Sequence, residues 1–354
     1  MALAIIFKMG DKNKYVGVIG SGSFGTAISN LLAENKRVLL YTRREEVKEA
    51  IEKKGLHKGH KMHPNIEVTM DLDRIGKECT LIFPVVDSAN FRKMMQTLSP
   101  FLKPRHILIH GTKGLNFKAG YTPNHQLHLS RTEIRTMTEV ILEESVVLRV
   151  GCLSGPNLAS EIAQGLPAAT VIASRFKEVI KMGMDALKSR RFRVYGSYDV
   201  LGVELAGVLK NVLALSSGML EGRNLGENCR AMLITRGLGE MVKLSKALGS
   251  DGTAFLGIAG IGDMIATCSS NKSRNFTVGN RLAKGETLEY IIETMNEVAE
   301  GVKTTKMAYS LAQHYHIETP IIRTIYHILY ENASIDESLM YLMEHHHEVD
   351  ADYL

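Results

Sequence analysis

The chain has 354 residues, 45% of them hydrophobic and 23% charged, with a formal net charge of +5. That length suits about two domains, each able to bury its own core, and the composition is that of a soluble globular protein. The mild positive balance does not by itself imply nucleic acid and suits a small anionic ligand, and no block of like charges is long enough to suggest a binding tail.

Cys79, Cys152, Cys229 and Cys268 are widely spaced and form no C-x-x-C pair. They read as reduced thiols in a cytoplasmic protein, not as a disulfide frame or a zinc site. No apolar run reads as long enough to span a membrane. Residues 1–7 are apolar but lack a basic leader and a small-residue cleavage site, so no signal peptide is expected.

In chain order, residues 15–19 (YVGVI) read as a short strand that runs into Gly20-Ser21-Gly22-Ser23-Phe24-Gly25. A helix follows over 23–34, a strand over 37–41, a helix over 45–54, and a strand over 80–86 that Pro84 should end. Residues 91–98 read as helix and 106–110 as a strand leading into Gly111-Thr112-Lys113-Gly114. Segments 145–153, 168–173 and 192–195 are β-like. Strands alternating with helices imply βαβ units and a parallel sheet.

The character changes near residue 199. Leu201, Leu205, Val208, Leu209, Val212 and Leu215 recur at helical spacing, which predicts a helix over 199–220, about 30 Å long. More helices are expected over 229–248, 275–283, 288–295, 303–313 and 321–330. The expected fold class is therefore α/β. A Rossmann-like dinucleotide-binding domain spans 14–198, and a mostly α-helical substrate and catalytic domain spans 199–354.

The glycine motif sits between a predicted strand and a predicted helix, the context that a dinucleotide fingerprint requires. Gly20 permits the tight turn, Gly22 lets a pyrophosphate approach the backbone, and Gly25 lets the helix pack on the sheet. An NAD site expects an acid about 20 residues on. Here the second strand ends in Thr42-Arg43-Arg44, with Glu45-Glu46 next. Two guanidiniums suit a 2′-phosphate. The alternative is a solvated helix start, so NADPH is favoured and NADH stays open.

Lys210 lies on the apolar side of a helix, where a charge is costly unless paired or neutralised. Its neighbours Ala206, Gly207 and Ala214 are small, so a ligand can approach. Desolvation lowers a lysine pKa, which suits proton exchange with a carbonyl or alcohol oxygen. Taken alone, a snorkelling lysine explains it as well. Four other clusters shift the balance, one of them the Ser154-Gly155-Pro156-Asn157 loop at a strand end. Residues 257–263 form a glycine-rich turn that presents Asp263, Ser273-Arg274-Asn275 opens a helix suited to an anion, and Lys113 lies in a loop after a strand.

These pieces resemble the bacterial-type NAD(P)-dependent glycerol-3-phosphate dehydrogenase family. The resemblance is carried by GSGSFGTA (20–27), GTKGL (111–115), SGPNLASEIAQGLPAA (154–169), GVELAGVLKNVLAL (202–215), ITRGLGEM (234–241), GIAGIGDMIATC (257–268), NKSRN (271–275) and VAEGVKT (298–304). It implies that Lys210 exchanges the proton as dihydroxyacetone phosphate and sn-glycerol 3-phosphate interconvert. It implies that Lys113, Gly155, Asn157, Asp263, Ser273, Arg274 and Asn275 line the substrate. Contacts to NADPH or NADH would come from Gly20, Gly22, Ser23, Phe24, Gly25, Arg43, Lys113, Ala159, Arg274, Val298 and Glu300. It further implies a homodimer and a supply of glycerol 3-phosphate for phospholipid synthesis.

Two departures stand out. Asp87-Ser88 replaces the family's Pro-Ser pair, placing a carboxylate either near the cofactor or toward solvent. Asn157 stands where threonine is usual. The histidines at 57, 60 and 63 and at 345–347 lack neighbouring ligands in sequence, so no metal site is expected. Two rival readings remain: a β-hydroxyacid or ketopantoate-type dehydrogenase, and a dinucleotide-binding sensor without turnover.

Overall fold

The structure is a computed structural model that describes residues 15–122, 129–295 and 299–344. Its first part alternates β1 (Tyr15–Ile19), α1 (Ser23–Ala33), β2 (Val38–Tyr41), α2 (Glu45–Lys54), the hairpin β3 (Leu56–His57) and β4 (His60–Lys61), β5 (Ile66–Thr69), α3 (Leu72–Glu78), β6 (Cys79–Pro84), α4 (Ser88–Leu98) and β7 (Ile107–His110). A hairpin of β8 (Asn116–Phe117) and β9 (Ile134–Arg135) then leads to α5 (Met137–Glu144), β10 (Arg149–Ser154), α6 (Ala159–Ala163), β11 (Ala168–Ser174), α7 (Lys177–Leu187) and β12 (Phe192–Ser197). The rest is helical: α8 (Val200–Gly222), α9 (Gly226–Ala247), α10 (Asp263–Cys268), α11 (Arg274–Ala283), α12 (Leu288–Thr294), α13 (Glu300–His314), α14 (Pro320–Tyr330) and α15 (Ile335–Glu344).

Eight strands form one sheet in the order β12-β11-β10-β7-β6-β1-β2-β5. Side chains alternate across it with period two. Val16, Val18, Val38 and Leu40 pack with Ala27, Ile28 and Leu31 of α1 and with Val179 of α7. Tyr15, Ile19, Leu39, Ile82 and Leu108 pack with Phe91 and Met95 of α4 and Val140 and Ile141 of α5. Both faces are covered, which explains the nearly continuous apolar runs in the central strands.

The α/β class with a Rossmann-like sheet and a helical C-terminal part matches expectation, and β6 does end at Pro84. Four readings need correction. The sheet is not wholly parallel, because β10 and β11 pair antiparallel. Residues 257–263 are not a loose turn: 258–262 form a π-helical turn that runs into α10. Helices α3, α5, α6, α7 and α15, strand β5 and the short hairpins β3–β4 and β8–β9 do not follow from the sequence pattern above. Finally, α8 is long and apolar enough to cross a membrane by length and composition, but most of it is buried inside the fold. An all-round apolar helix fits such a core position.

The polar groups of α8 account for its ability to sit there. Asp199 caps it by accepting from the Gly202 N–H at 2.8 Å. Glu204 accepts from the Thr138 N–H at 2.9 Å and lies 3.0 Å from His110 Nε2. Ser217 donates to the Cys268 carbonyl at 2.7 Å. Helix α11 crosses α8 backbone to backbone: a Cβ on Gly279 would collide with the Leu215 carbonyl, and one on Gly218 with that of Phe276. The core of this part also takes in Leu115, Leu129 and Ile134 from the segment around β8 and β9.

Gly279→Ala should therefore destabilise the protein by about 1–3 kcal/mol, despite alanine's better helix propensity. A melting temperature equal to or above that of the parent would show that the crossing is not this tight.

Candidate active site

The glycine turn connects β1 to α1. Gly20 has φ +118°, and a Cβ there would lie 2.8 Å from the Val85 carbonyl oxygen. Gly25 lies so close to the Gly20 carbonyl that any side chain would collide with it. A Cβ on Gly22, by contrast, would meet nothing within 4 Å. That open space, set against the positive end of a helix that no side chain caps, fits the pyrophosphate of a dinucleotide. Phe24 packs under Gly111 at the next loop, where an added Cβ would lie 2.7 Å from the Phe24 ring.

Asp263 forms the centre of a second cluster. It opens α10 and is 2% exposed. Lys210 Nζ donates to Asp263 Oδ1 at 2.5 Å, and Lys113 Nζ donates to Oδ2 at 2.5 Å. Lys113 also donates to the Gly155 carbonyl at 3.1 Å. Lys210 lies 2.5 Å from Thr267 Oγ1, whose hydroxyl donates to the Asp263 carbonyl at 2.6 Å. Burial pushes the Lys210 amine down to about 8; Asp263 opposes that shift and the Lys113 charge adds to it. Two ammoniums share one carboxylate, so the cluster carries a surplus positive charge in a low-dielectric setting that favours an anion.

Beside it, Ser273 caps α11 by accepting from the Phe276 N–H at 3.3 Å. Arg274, the first residue of α11, is exposed. Asn275 donates to Asn211 Oδ1 at 2.9 Å and accepts from the Gly301 N–H at 2.8 Å, linking α8, α11 and α13. Gly207 is small because the Ser154 hydroxyl and the Lys113 stem lie against α8 there.

Lys113, Gly155, Lys210 and Asp263 thus share direct contacts, with Ser273 and Asn275 on the adjoining helix start. Asn157 is engaged elsewhere: it donates to the Ala169 carbonyl at 3.0 Å and accepts from Thr170 Oγ1 at 2.8 Å. Glu300 accepts from the Ser88 N–H at 2.9 Å and its hydroxyl at 2.6 Å, joining α13 to α4. Ala159 begins α6 and packs toward α1 and its neighbours. Arg43 is exposed just beyond β2. Val298 lies outside the described residues, as do the histidines at 345–347. Asp87 is the cap of α4, accepting from the Asn90 N–H at 3.0 Å, so its carboxylate has a structural task.

Sequence reasoning missed Thr267. Its position four residues after Asp263, in a helical run, was the available signal. It also missed His110, Cys152 and Glu204, whose donor atoms lie within 4.8 Å of one another. The His110–Glu204 hydrogen bond occupies two of them, and burial holds the Cys152 thiol well above its usual range.

A dinucleotide turn on a Rossmann-type sheet, facing a buried lysine–carboxylate pair on a helical domain, defines an oxidoreductase of the dehydrogenase class. Two family profiles, described as NAD-dependent glycerol-3-phosphate dehydrogenase N-terminus and C-terminus, match residues 15–180 and 199–340. The glycerol-3-phosphate dehydrogenase [NAD(P)+] of Pseudomonas aeruginosa is 40% identical over 344 residues, covering 96% of this chain and 97% of that protein. The crystal structure of glycerol-3-phosphate dehydrogenase from Coxiella burnetii superposes with a TM-score of 0.83 at 31% identity, covering 94% of this chain and 99% of that one. The chain belongs to the NAD(P)-dependent glycerol-3-phosphate dehydrogenase family. A ketopantoate reductase from Ralstonia eutropha shares the fold at a TM-score of 0.56 and 15% identity, covering 92% of this chain and 99% of that one. That likeness extends to architecture alone.

Asp263→Asn would leave the Lys210 ammonium buried without its countercharge, at a cost of about 3–5 kcal/mol. The folded-state amine then falls still further below its unfolded value, so the folded protein binds fewer protons and gains stability as pH rises. Denaturant unfolding should show a larger deficit near about pH 6 than near about pH 9. An equal deficit at both would remove charge burial as the cause.

Proposed function

We propose that Lys210 is the proton donor and acceptor as dihydroxyacetone phosphate and sn-glycerol 3-phosphate interconvert, with Asp263 and Thr267 fixing its amine. The observation that carries this reading is the buried Lys210 held by one shared carboxylate, with its amine at about 8. A bound reduced nicotinamide supplies the hydride. As C2 is reduced, its oxygen gains negative charge, and the Lys210 ammonium stabilises that charge and delivers the proton. In the oxidation direction the neutral amine takes the proton from the C2 hydroxyl. Lys113 releases part of its hold on Asp263 to meet the substrate, beside the Gly155 carbonyl. Ser273, Arg274 and Asn275 at the start of α11 hold the phosphate. Asn157 supports this pocket from behind, through β11.

The residues for the dinucleotide are Gly20, Gly22, Ser23, Phe24 and Gly25 at the turn, Arg43 at the 2′ end, and Lys113, Ala159, Arg274, Val298 and Glu300. Residues 14–198 act as the dinucleotide unit and 199–354 as the substrate unit. The physiological role is supply of glycerol 3-phosphate for phospholipid synthesis in the cytoplasm, by a homodimer. A sensor without turnover would have no use for a desolvated lysine held in this way, and the costly burial argues against it.

Lys210→Ala should reduce turnover by at least about a hundredfold while NADPH still binds. Normal turnover would remove the proton-transfer assignment. Reduction needs the ammonium, so its kcat/KM should fall as pH rises through about 8, and oxidation should show the opposite limb. Arg274→Ala should raise the KM for dihydroxyacetone phosphate by about tenfold or more, consistent with loss of a charge-assisted contact; an unchanged KM would place the phosphate elsewhere.

A further inference from the structure

We propose that His57, on the β3–β4 hairpin, is a specificity-determining residue of the dinucleotide site, a protonatable contact for the 2′-phosphate of a phosphorylated dinucleotide. The proposal rests on the reading of the Arg43-Arg44 pair as the 2′ end of the site.

The hairpin is firmly placed. Its two-residue turn uses Lys58 (φ +49°) and Gly59 (φ +77°), the left-handed pair that a tight hairpin requires. Asn30 of α1 holds the far strand, donating to the Lys61 carbonyl at 3.2 Å and accepting from the His63 N–H at 2.9 Å. Met62 is buried beneath. The near strand reaches the glycine turn, where His57 Nε2 donates to the Ser21 carbonyl at 2.9 Å.

Ser21 is the residue between the first two glycines, and three elements converge on it. Its hydroxyl is 2.9 Å from Thr42 Oγ1 at the end of β2, and Arg44 Nη2 donates to it at 3.4 Å. The end of the second strand is where dinucleotide folds read the ribose 2′ position. No acid stands at residues 42–44 to accept a ribose hydroxyl. His57 Nδ1 makes no bond among the described residues.

The charges around His57 are cationic. They are Lys58, beside it in the turn, and Arg44, from the β2–α2 junction; the titratable ring of His60 is its register partner across the hairpin. The acid at hand is Glu46, 3.9 Å from Arg44. The glycine turn contributes no charged side chain. Burial, with Lys58 and Arg44, outweighs the Ser21 hydrogen bond and holds the half-buried imidazole below its ordinary value, so it is neutral at neutral pH before a phosphate binds. A dianionic phosphate beside Nδ1 reverses that balance, and the imidazolium then donates from both nitrogens. Binding of the phosphorylated dinucleotide therefore takes up a proton that binding of the unphosphorylated one does not.

The test is calorimetric titration of the purified protein with NADPH and with NADH, in buffers of different ionisation enthalpy near about pH 7.5. The proteins compared are the parent, His57→Gln, His57→Ala and Arg44→Ala, each checked for folding by thermal unfolding. His57→Gln keeps a donor for the Ser21 carbonyl but cannot be charged. The Kd for NADPH should rise about tenfold relative to that for NADH in both His57 variants, and the extra proton uptake should vanish. If only His57→Ala weakens NADPH, the histidine merely anchors the hairpin and the proposal is overturned. It is overturned equally if both His57 variants keep the parent's ratio and proton uptake while Arg44→Ala shifts the ratio. If Arg44→Ala also leaves the ratio unchanged, the 2′-phosphate reading falls as well.

Discussion

One carboxylate shared between two lysines organises this molecule. Asp263 meets Lys113, 150 residues earlier, and Lys210, 53 residues earlier. Each partner comes from a different structural setting: a loop after β7, the middle of α8 and the first turn of α10. A buried Lys210 without an anion would be strongly unfavourable, and a buried aspartate without a cation equally so. The sheet and the helical part are therefore held in one relation by the need to keep these charges together. The remaining surplus of positive charge suits an anionic ligand.

Much around that cluster exists to let backbones and side chains come close. Gly207 makes room for the Lys113 stem, and Gly279 and Gly218 let α11 press on α8. Asn275 and Asn211 then meet across the crossing at 2.9 Å. The same economy appears at the dinucleotide turn, where Gly25 and Gly20 touch and Gly22 is left facing open space. Glycine here marks contact at two positions and vacancy at the third.

The fold was readable in the sequence where a local rule decides the outcome. The glycine turn, the short apolar β-rich runs between turn signals and the 3.6-residue pattern of α8 all follow from local sequence chemistry. The N-terminal signal of α5 was also present, since Thr136 and Glu139 form a capping box. What local rules could not supply was strand direction: the reversal of β11 against β10 leaves the side-chain period unchanged. The glycines of 257–262 suggested a glycine-rich turn, but 258–262 coil as a π-helical turn in which Gly260 packs against the Phe255 backbone. In the site, Lys210 and Asp263 announced themselves as charges in apolar surroundings. Thr267 did not, because a threonine in a helix is unremarked until its hydroxyl is seen against the amine. Glu204 and His110 were hidden by distance, 94 positions apart yet only 3.0 Å in space.

The long core helix also bears on how the chain is made. Helix α8 begins at residue 200, and the helices packed against it, α9, α10, α11, α13 and α14, follow it in sequence. While the ribosome is still producing those helices, a 23-residue apolar segment stands without the part of its cover that they supply. Its resemblance to a membrane-crossing segment is then a hazard of biogenesis, one that only completion of the last third of the chain removes. Truncation within that last third, however far from the chemistry, would leave α8 as an aggregation-prone surface rather than a core.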